Sequence, residues 1–250
     1  MQKRNVYNLK KEKDMSLLDN SLWAVLKSSV SVEIWSKLWP SIFDTLYMTA
    51  LASLIVLVFG LALGVLLTVT SPDGLFPLPA VYKVWGWLIN TLRSLPQMVM
   101  IIMLIPLARF LFGKSYGANP CIVAIAASCI PMYARVVESS LLEINKGKIE
   151  AAKSIGSSNL QIIFHALLPE TLPSLIRGFT ITVIAVLSMT ALAGMFGAGG
   201  IGDVAVRYGY QRFQHDKLLA CIYVLVVLVQ IVQSVGNFVS NRILKTRALI

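Results

Sequence analysis

The feature that most constrains the fold is the recurrence of long apolar runs along the chain. Each run is long enough to cross a hydrocarbon layer about 30 Å thick as a helix. Backbone N–H and C=O groups cannot stay unpaired in lipid, so such runs favour helices, which satisfy their own hydrogen bonds. The sequence therefore predicts an all-α integral membrane protein with five transmembrane helices. Their approximate limits are 45–70, 84–112, 121–142, 179–196 and 218–236, and the second is expected to be interrupted at Pro96 and Pro106.

Composition agrees with a membrane protein and argues against several other classes. Hydrophobic residues make up 56% of the chain and charged residues 14%, unlike an ordinary soluble domain. The net charge of +10 is spread over tails and loops, so membrane lipid rather than nucleic acid is the expected partner. The cysteines lie in apolar runs and the two histidines in separate loops without ligand spacing. We therefore predict no metal site, no catalytic residues and no enzymatic activity.

Two regions are predicted from the distribution of polar residues. Residues 1–40 are polar and basic, with three tryptophans late in the stretch, which is typical of a tail followed by an amphipathic interfacial piece. Residues 41–245 form one membrane domain, with a long polar loop at 144–171 between the third and fourth spans.

That polar loop contains a predicted helix–turn–helix at Glu150–Pro169. Its first residues favour a helix, and Gly156 is where a chain leaves a helix at low cost. The serines Ser157 and Ser158 are N-cap residues for a second short helix, which is expected to end before Pro169. The apolar positions of that second helix fall on one face. Such a face serves either to dock a protein partner or to rest the loop on its own bundle.

Two glycine motifs have more than one interpretation. The run Gly197–Gly202 fits G-x-G-x-x-G, but it follows a membrane helix rather than a strand, so it predicts a turn with close backbone approach and not a nucleotide site. Gly60 and Gly64 form a G-x-x-x-G face. This face predicts either close helix packing within the subunit or a self-association surface.

Charged residues inside the spans are few and lie near their ends. Arg93, Arg135 and Glu138 fall near the ends of the second and third spans. Arg135 and Glu138 are spaced to pair on one helix face, most simply as an interfacial pair that reaches toward water. A carrier driven by protons or sodium usually has carboxylates or broken helices near the midplane. No carboxylate falls there, so any transport would draw its energy from outside this membrane domain.

Counting basic residues does not decide the orientation. Five spans put the termini on opposite sides, with 12 Lys and Arg on the N-terminal side and 10 on the side of the 144–171 loop. If translation starts at Met15, five of the 12 are lost. The remaining excess then favours a cytoplasmic loop.

The loop contains a fixed pattern: Glu150, Ala151 and Ala152, then Gly156, then Leu168 and Pro169. At this spacing it resembles the EAA loop of the permease subunits of bacterial ABC importers. That pattern places Ile two positions before its Leu-Pro pair, where this chain has Ala166. The resemblance implies that the loop forms cytoplasmic coupling helices that fit a cleft of a separate ATPase. ATP and Mg²⁺ then belong to that partner, and this chain holds no cofactor. The matching residues, expected to couple to the ATPase, are Glu150, Ala151, Ala152, Gly156, Leu168 and Pro169.

Further motifs are similar to those of the methionine-importer permease family. They include Arg93–Pro96, Ala134–Glu138 and the run Gly197–Phe213. The resemblance implies a homodimer with two ATP-binding subunits on the cytoplasmic side and a substrate-binding lipoprotein outside the bacterial cytoplasmic membrane. The implied function is ATP-driven import of methionine, D or L, or close derivatives, by alternating access. The alternative within the class is a permease for another amino acid or a small peptide.

For the translocation pathway, the fourth span offers small hydroxyls beside soft apolar side chains. These residues are Ser188, Met189, Thr190 and Leu192. These residues could line a pathway that binds its substrate weakly and so lets it leave. The alternative is ordinary helix packing, which also uses small residues. Two other classes remain as alternatives. A stand-alone channel or carrier would transport without any ATPase. A non-transporting scaffold or an enzyme is the other, and the sequence shows no set of catalytic residues for an enzyme.

Overall fold

The computed structural model describes residues 23–114 and 116–248, and within these ranges every regular element is helical. Residues 23–29 form a short helix. The following helices are α1 (Val32–Thr70), α2 (Pro79–Ser94), α3 (Gln97–Phe112), α4 (Ala118–Leu142), α5 (Lys146–Ser154), α6 (Asn159–Gln161), α7 (Leu168–Ala193), α8 (Gly200–Val204) and α9 (His215–Ala248). Two π-helical turns, Ile162–Leu167 and Ala205–Tyr210, and a 3₁₀ turn, Gly194–Phe196, join some of them.

Within the described residues, four helical runs are long and apolar enough to cross a membrane, and the bent pair α2–α3 makes a fifth candidate. The all-helical membrane fold is therefore confirmed. The first run is longer than expected: α1 begins at Val32 rather than near Thr45 and contains Pro40 without a break. The predicted boundary at residue 40 falls inside this helix and stays a prediction. Of the predicted N-terminal segment, residues 1–22 lie outside the described residues.

The second apolar run is broken once, at the Leu95–Pro96 junction. Helices α2 and α3 meet there at 108°. Leu95 has extended backbone angles, as expected for a residue that precedes proline. The predicted interruption at Pro96 is confirmed. The one at Pro106 is wrong, because Pro106 lies inside α3, which continues to Phe112.

The α1–α2 turn, α5, α6 and the start of α7 lie on one side of the bundle, which we call the loop side. Asn159 Nδ2 donates a hydrogen bond to the carbonyl of Leu75 in the α1–α2 turn at 2.9 Å. The last part of α9 reaches the same side, because Ser240 Oγ donates to the carbonyl of Pro173 near the start of α7 at 3.0 Å.

Helix α4 lies at the centre of the bundle, between α1 and α7. Tyr133 and Val137 of α4 are fully or almost fully buried. They pack against two glycines of α1: a Cβ added to Gly60 would lie 2.8 Å from the Tyr133 ring, and one added to Gly64 would lie 2.4 Å from Val137 Cβ. The G-x-x-x-G face therefore serves packing within the subunit.

On the opposite side, which we call the far side, the glycine-rich run forms a tight turn. Gly197, Gly199 and Gly200 have φ values of 77°, 81° and 79°, a region that L side chains rarely adopt. The carbonyl of Gly197 accepts a hydrogen bond of 2.9 Å from the N–H of Gly117, at the start of α4. The prediction of a turn with close backbone approach is confirmed.

Candidate functional site

The candidate site is the Glu150–Pro169 segment on the loop side. Its first helix, α5, is capped by the Asn145 side chain, which accepts a hydrogen bond of 2.9 Å from the N–H of Gly147. The helix ends at Gly156, which has a φ of 82° and donates to the carbonyl of Lys153 at 3.0 Å. A glycine in the left-handed region is a common helix end. The prediction that the first helix ends at Gly156 is confirmed.

The second helix starts where the serines predicted it. Ser158 is its N-cap and forms a reciprocal capping box with Gln161. The N–H of Gln161 donates to Ser158 Oγ at 3.3 Å, and the N–H of Ser158 donates to Gln161 Oε1 at 2.8 Å. This arrangement satisfies two backbone donors that have no partner inside the helix.

The expected end of this helix before Pro169 is wrong. The chain passes through the π-helical turn Ile162–Leu167 directly into α7, and Pro169 lies in the first turn of α7. The N–H of Leu168 bonds to the carbonyl of Ile163, five residues earlier. Proline lacks the N–H that the interior of an α-helix requires, and Pro169 comes just after this π-helical turn, whose hydrogen bonds span five residues instead of four. The second half of the loop and the fourth apolar run are consequently one continuous helix.

The apolar face of the second helix is divided between the protein interior and solvent. Ile163 and Leu167 are 5% and 3% exposed and pack against the bundle, whereas Leu160 and Phe164 are more than 60% exposed. At the end of α5, Ile155 is 82% exposed. Ile155 was not among the residues predicted from the sequence. It could have been found as an apolar residue directly before the glycine that ends a helix. These three uncovered side chains, Ile155, Leu160 and Phe164, form what we call the apolar patch.

The loop is attached at several points to neighbouring elements. Lys146 Nζ lies 3.4 Å from a carboxylate oxygen of Asp73 in the α1–α2 turn, and Lys148 pairs with Glu170 in the first turn of α7. Exposed ion pairs of this kind each contribute less than about 1 kcal/mol. Together with the hydrogen bond of Asn159 to Leu75 and the buried side chains, they hold α5 and α6 to the ends of α1 and α7.

An open concavity of about 540 Å³ lies between α5 and the π-helical turn. Ala166, which stands where the EAA pattern usually has isoleucine, lines this concavity together with Ala152 and Ile155. Among the other residues predicted to couple to an ATPase, Leu168 is half-buried. Those exposed to solvent are Glu150, Ala151, Gly156 and Pro169. The six matching positions thus lie on the loop side, in α5, just after its end and in the first turn of α7.

The residues predicted for the pathway lie on different faces of α7. Ser188 is exposed and Leu192 half-buried. Met189 and Thr190 are 5% and 1% exposed and pack inside the subunit, and Thr190 Oγ1 donates to a backbone carbonyl of its own helix. A lining role for this stretch therefore depends on the face of Ser188 and Leu192, which Met195 extends by a further turn.

The fold and the projecting loop together indicate the membrane subunit of a transport system. The sequence pattern of the family of binding-protein-dependent transport system inner membrane components matches residues 60–245. The chain belongs to this family and is a multi-pass membrane protein.

Its relatives include bacterial methionine permeases. The chain is 37% identical to the probable D-methionine transport system permease protein MetI of Vibrio cholerae, over 92% of this chain and 99% of that protein. It is 40% identical to the methionine import system permease protein MetP of Bacillus subtilis, over 82% and 93% of the two chains. A solved chain of the MetNI methionine ABC transporter, in an inward-facing conformation, superposes with a TM-score of 0.83 at 34% identity, covering 86% of this chain and 99% of that one.

Proposed function

We propose that this chain is the membrane-spanning permease subunit of an ATP-driven importer of methionine, D or L, or close derivatives. The observation that carries the proposal is the projecting α5–α6 loop, which presents the six matching EAA positions beside an uncovered apolar patch. The chain itself catalyses no reaction. ATP and Mg²⁺ are bound by separate ATPase subunits, and ATP hydrolysis there drives alternating access here.

The proposal includes five spans with the loop in the cytoplasm. Helix α2 begins on the loop side, where the N–H of Leu78 bonds to the carbonyl of Thr70 at 3.1 Å. Helix α3 leads to the far side, where Gly117 bonds to Gly197. The bent pair α2–α3 thus connects the two sides and counts as one crossing. With α9 ending on the loop side, the C-terminus is cytoplasmic as well.

The loop is suited to transmit motion because it is short, capped and anchored. Ile155, Leu160 and Phe164 present large apolar side chains, and buried aromatic and aliphatic anchors supply much of the affinity in protein interfaces. Because α6 and the π-helical turn continue into α7, a displacement of the loop by the ATPase moves the fourth span directly. A flexible loop would absorb that displacement.

The assembly proposed is a homodimer with two ATPase subunits on the loop side and a substrate-binding lipoprotein on the far side. The translocation pathway lies between the two permease copies, along the α7 face of Ser188 and Leu192. Both relatives are named for methionine transport, which supports methionine over another amino acid or a small peptide as the substrate.

The test is uptake of labelled methionine by liposomes that contain the permease, its ATPase and its binding protein. We expect uptake that requires ATP inside the liposomes and competition by unlabelled methionine. Glu150→Lys should abolish uptake while the complex still inserts and hydrolyses ATP. Transport without the ATPase would instead indicate a channel or carrier, and uptake competed only by other amino acids or peptides would indicate the alternative substrate.

A further inference from the structure

An ion pair on α4, between the partly buried Arg135 and the buried Glu138, faces α2 near the loop side. Arg135 Nη1 is 2.5 Å from Glu138 Oε2, and Arg135 Nη2 donates to the carbonyl of Gly86 at 2.9 Å. The side chain of Glu138 is 5% exposed and that of Arg135 is 18% exposed. The pair was predicted to reach toward water at the membrane interface. Instead, Glu138 is buried and Arg135 is largely shielded.

The ion pair leaves one acceptor and one donor unused. Glu138 Oε1 and Arg135 Nε are both buried and have no hydrogen-bond partner among the described residues. An ionised group with an unsatisfied atom inside a protein is costly, and each such case calls for an explanation. One explanation is a bound ligand that donates a hydrogen bond to Glu138 Oε1, and the surroundings of the pair support it.

An open cavity of about 570 Å³ lies beside this pair. Glu138 and Arg135 line one wall, and the exposed side chain of Arg93, at the end of α2, lines another. Arg93 forms no ion pair within the part of the chain that the structure describes. The serine hydroxyls of Ser139 and Ser140 add further polar lining. The volume falls within the range of roughly 300–1,000 Å³ that is usual for small-ligand sites.

We propose that this cavity is an exit subsite for the zwitterionic end of an α-amino acid. The ammonium group of the ligand donates to Glu138 Oε1, and its carboxylate accepts from the Arg93 guanidinium. Arginine and carboxylate groups match in geometry, and hydrogen bonds between charged groups are stronger than neutral ones. This inference rests on the proposed import function and places the subsite near the loop side, where an imported substrate would leave the protein.

An open site near the membrane surface binds weakly, because water and ions screen its charges. Weak binding suits an exit, where a substrate must be released. The same pair of charges, an ammonium and an acid group, is also present in the headgroup of phosphatidylethanolamine. The test therefore has to separate a free amino acid from a lipid.

The experiment uses the nucleotide-free permease–ATPase complex in phosphatidylglycerol nanodiscs and detects ligand contact by saturation-transfer NMR. Three probes are compared: methionine, N-acetylmethionine, which lacks the ammonium, and methioninol, which lacks the carboxylate. For the wild type we expect methionine to bind roughly tenfold more tightly than either analogue. Glu138→Gln should remove the preference over N-acetylmethionine alone, and Arg93→Gln the preference over methioninol alone. Arg109→Gln, an exposed arginine in the last turn of α3, is the control that should change neither.

Several results would overturn the subsite. Equal binding of all three probes to the wild type is one, and loss of both preferences in Arg109→Gln is another. A methionine signal that disappears when phosphatidylethanolamine replaces phosphatidylglycerol would assign the cavity to lipid. If Glu138→Gln fails to assemble, the exposed Arg93 variant still decides the outcome. Uptake by the wild type, measured in parallel, reports on the import function separately, because import can persist while the probes are not discriminated.

Discussion

The hydroxyl of Thr45 accepts a hydrogen bond of 2.8 Å from the backbone N–H of Ile201, a residue 156 positions later in the chain. Thr45 is 1% exposed and Ile201 is fully buried. The contact joins α1 to the start of α8. It requires a close approach of the backbone at Gly200, where an added Cβ would lie 2.7 Å from the same hydroxyl oxygen. The Thr45 hydroxyl therefore ties the far-side turn to α1.

We predict that Thr45→Val destabilises the subunit by roughly 1–3 kcal/mol, because the buried N–H of Ile201 loses its acceptor while the side-chain volume stays nearly constant. A lower thermal unfolding midpoint of the detergent-solubilised complex is the expected result. Thr91→Val is the matched control: the Thr91 hydroxyl is exposed and bonds only to the carbonyl of Trp87 in its own helix. Equal midpoints for the two variants would show that the Ile201 bond contributes little.

Packing of α1 on α4 gives a second prediction. Gly64→Ala places a methyl group 2.4 Å from Val137 Cβ and 2.7 Å from the carbonyl oxygen of Ala134, which should cost roughly 1–3 kcal/mol of stability. Adding Val137→Ala should recover only a small part of this loss, since it removes the contact with Val137 Cγ1 at 2.6 Å but keeps Cβ. Ala62→Val, on an exposed face of α1, should leave the unfolding midpoint unchanged. A self-association role for this face would instead show as a change in the dimer fraction with stability intact.

The apolar patch gives a third prediction, about binding of the ATPase. Phe164→Ala should weaken association with the ATPase by roughly tenfold or more, as truncation of an interface anchor does, and leave the permease folded. Binding is measured with labelled ATPase on nanodisc-embedded permease. Phe110→Ala, on an 86% exposed side chain of α3, is the control and should bind normally. Unchanged affinity in Phe164→Ala would place the ATPase contact elsewhere.

A fourth prediction concerns the turn between α5 and α6. Gly156→Pro should uncouple ATP hydrolysis from methionine uptake, because proline requires a φ near −65° and lacks the N–H that Gly156 donates to Lys153. Uptake and hydrolysis are measured in the same liposomes.

The matched control for this turn is Gly113→Pro. Gly113 also has a positive φ and ends a helix, with its N–H bonded to the carbonyl of Arg109. Both variants disturb a helix end, but only the one in the loop is expected to uncouple transport. Import at the wild-type rate by Gly156→Pro would contradict the coupling role.

Local rules predicted the parts of the loop that depend on single residues. Gly156 and Ser158 act as the helix end and the N-cap that their residue types indicated. The continuation through Pro169 was missed, because proline usually ends a helix, and the sequence does not show the π-helical turn that precedes it. The burial of Met189 and Thr190 was likewise unpredictable, since the α7 face that meets α4 depends on packing.

The sequence by itself determined that the chain spans a membrane as helices, since apolar length and backbone hydrogen bonding allow little else. It also determined the class of transporter, through residues whose spacing matches one family. Only the tertiary structure decided which glycines meet which side chains, how the apolar face of the loop divides between core and solvent, and that Glu138 is buried in a pair with Arg135 beside Arg93. These depend on contacts between residues far apart in the chain, which no local pattern encodes.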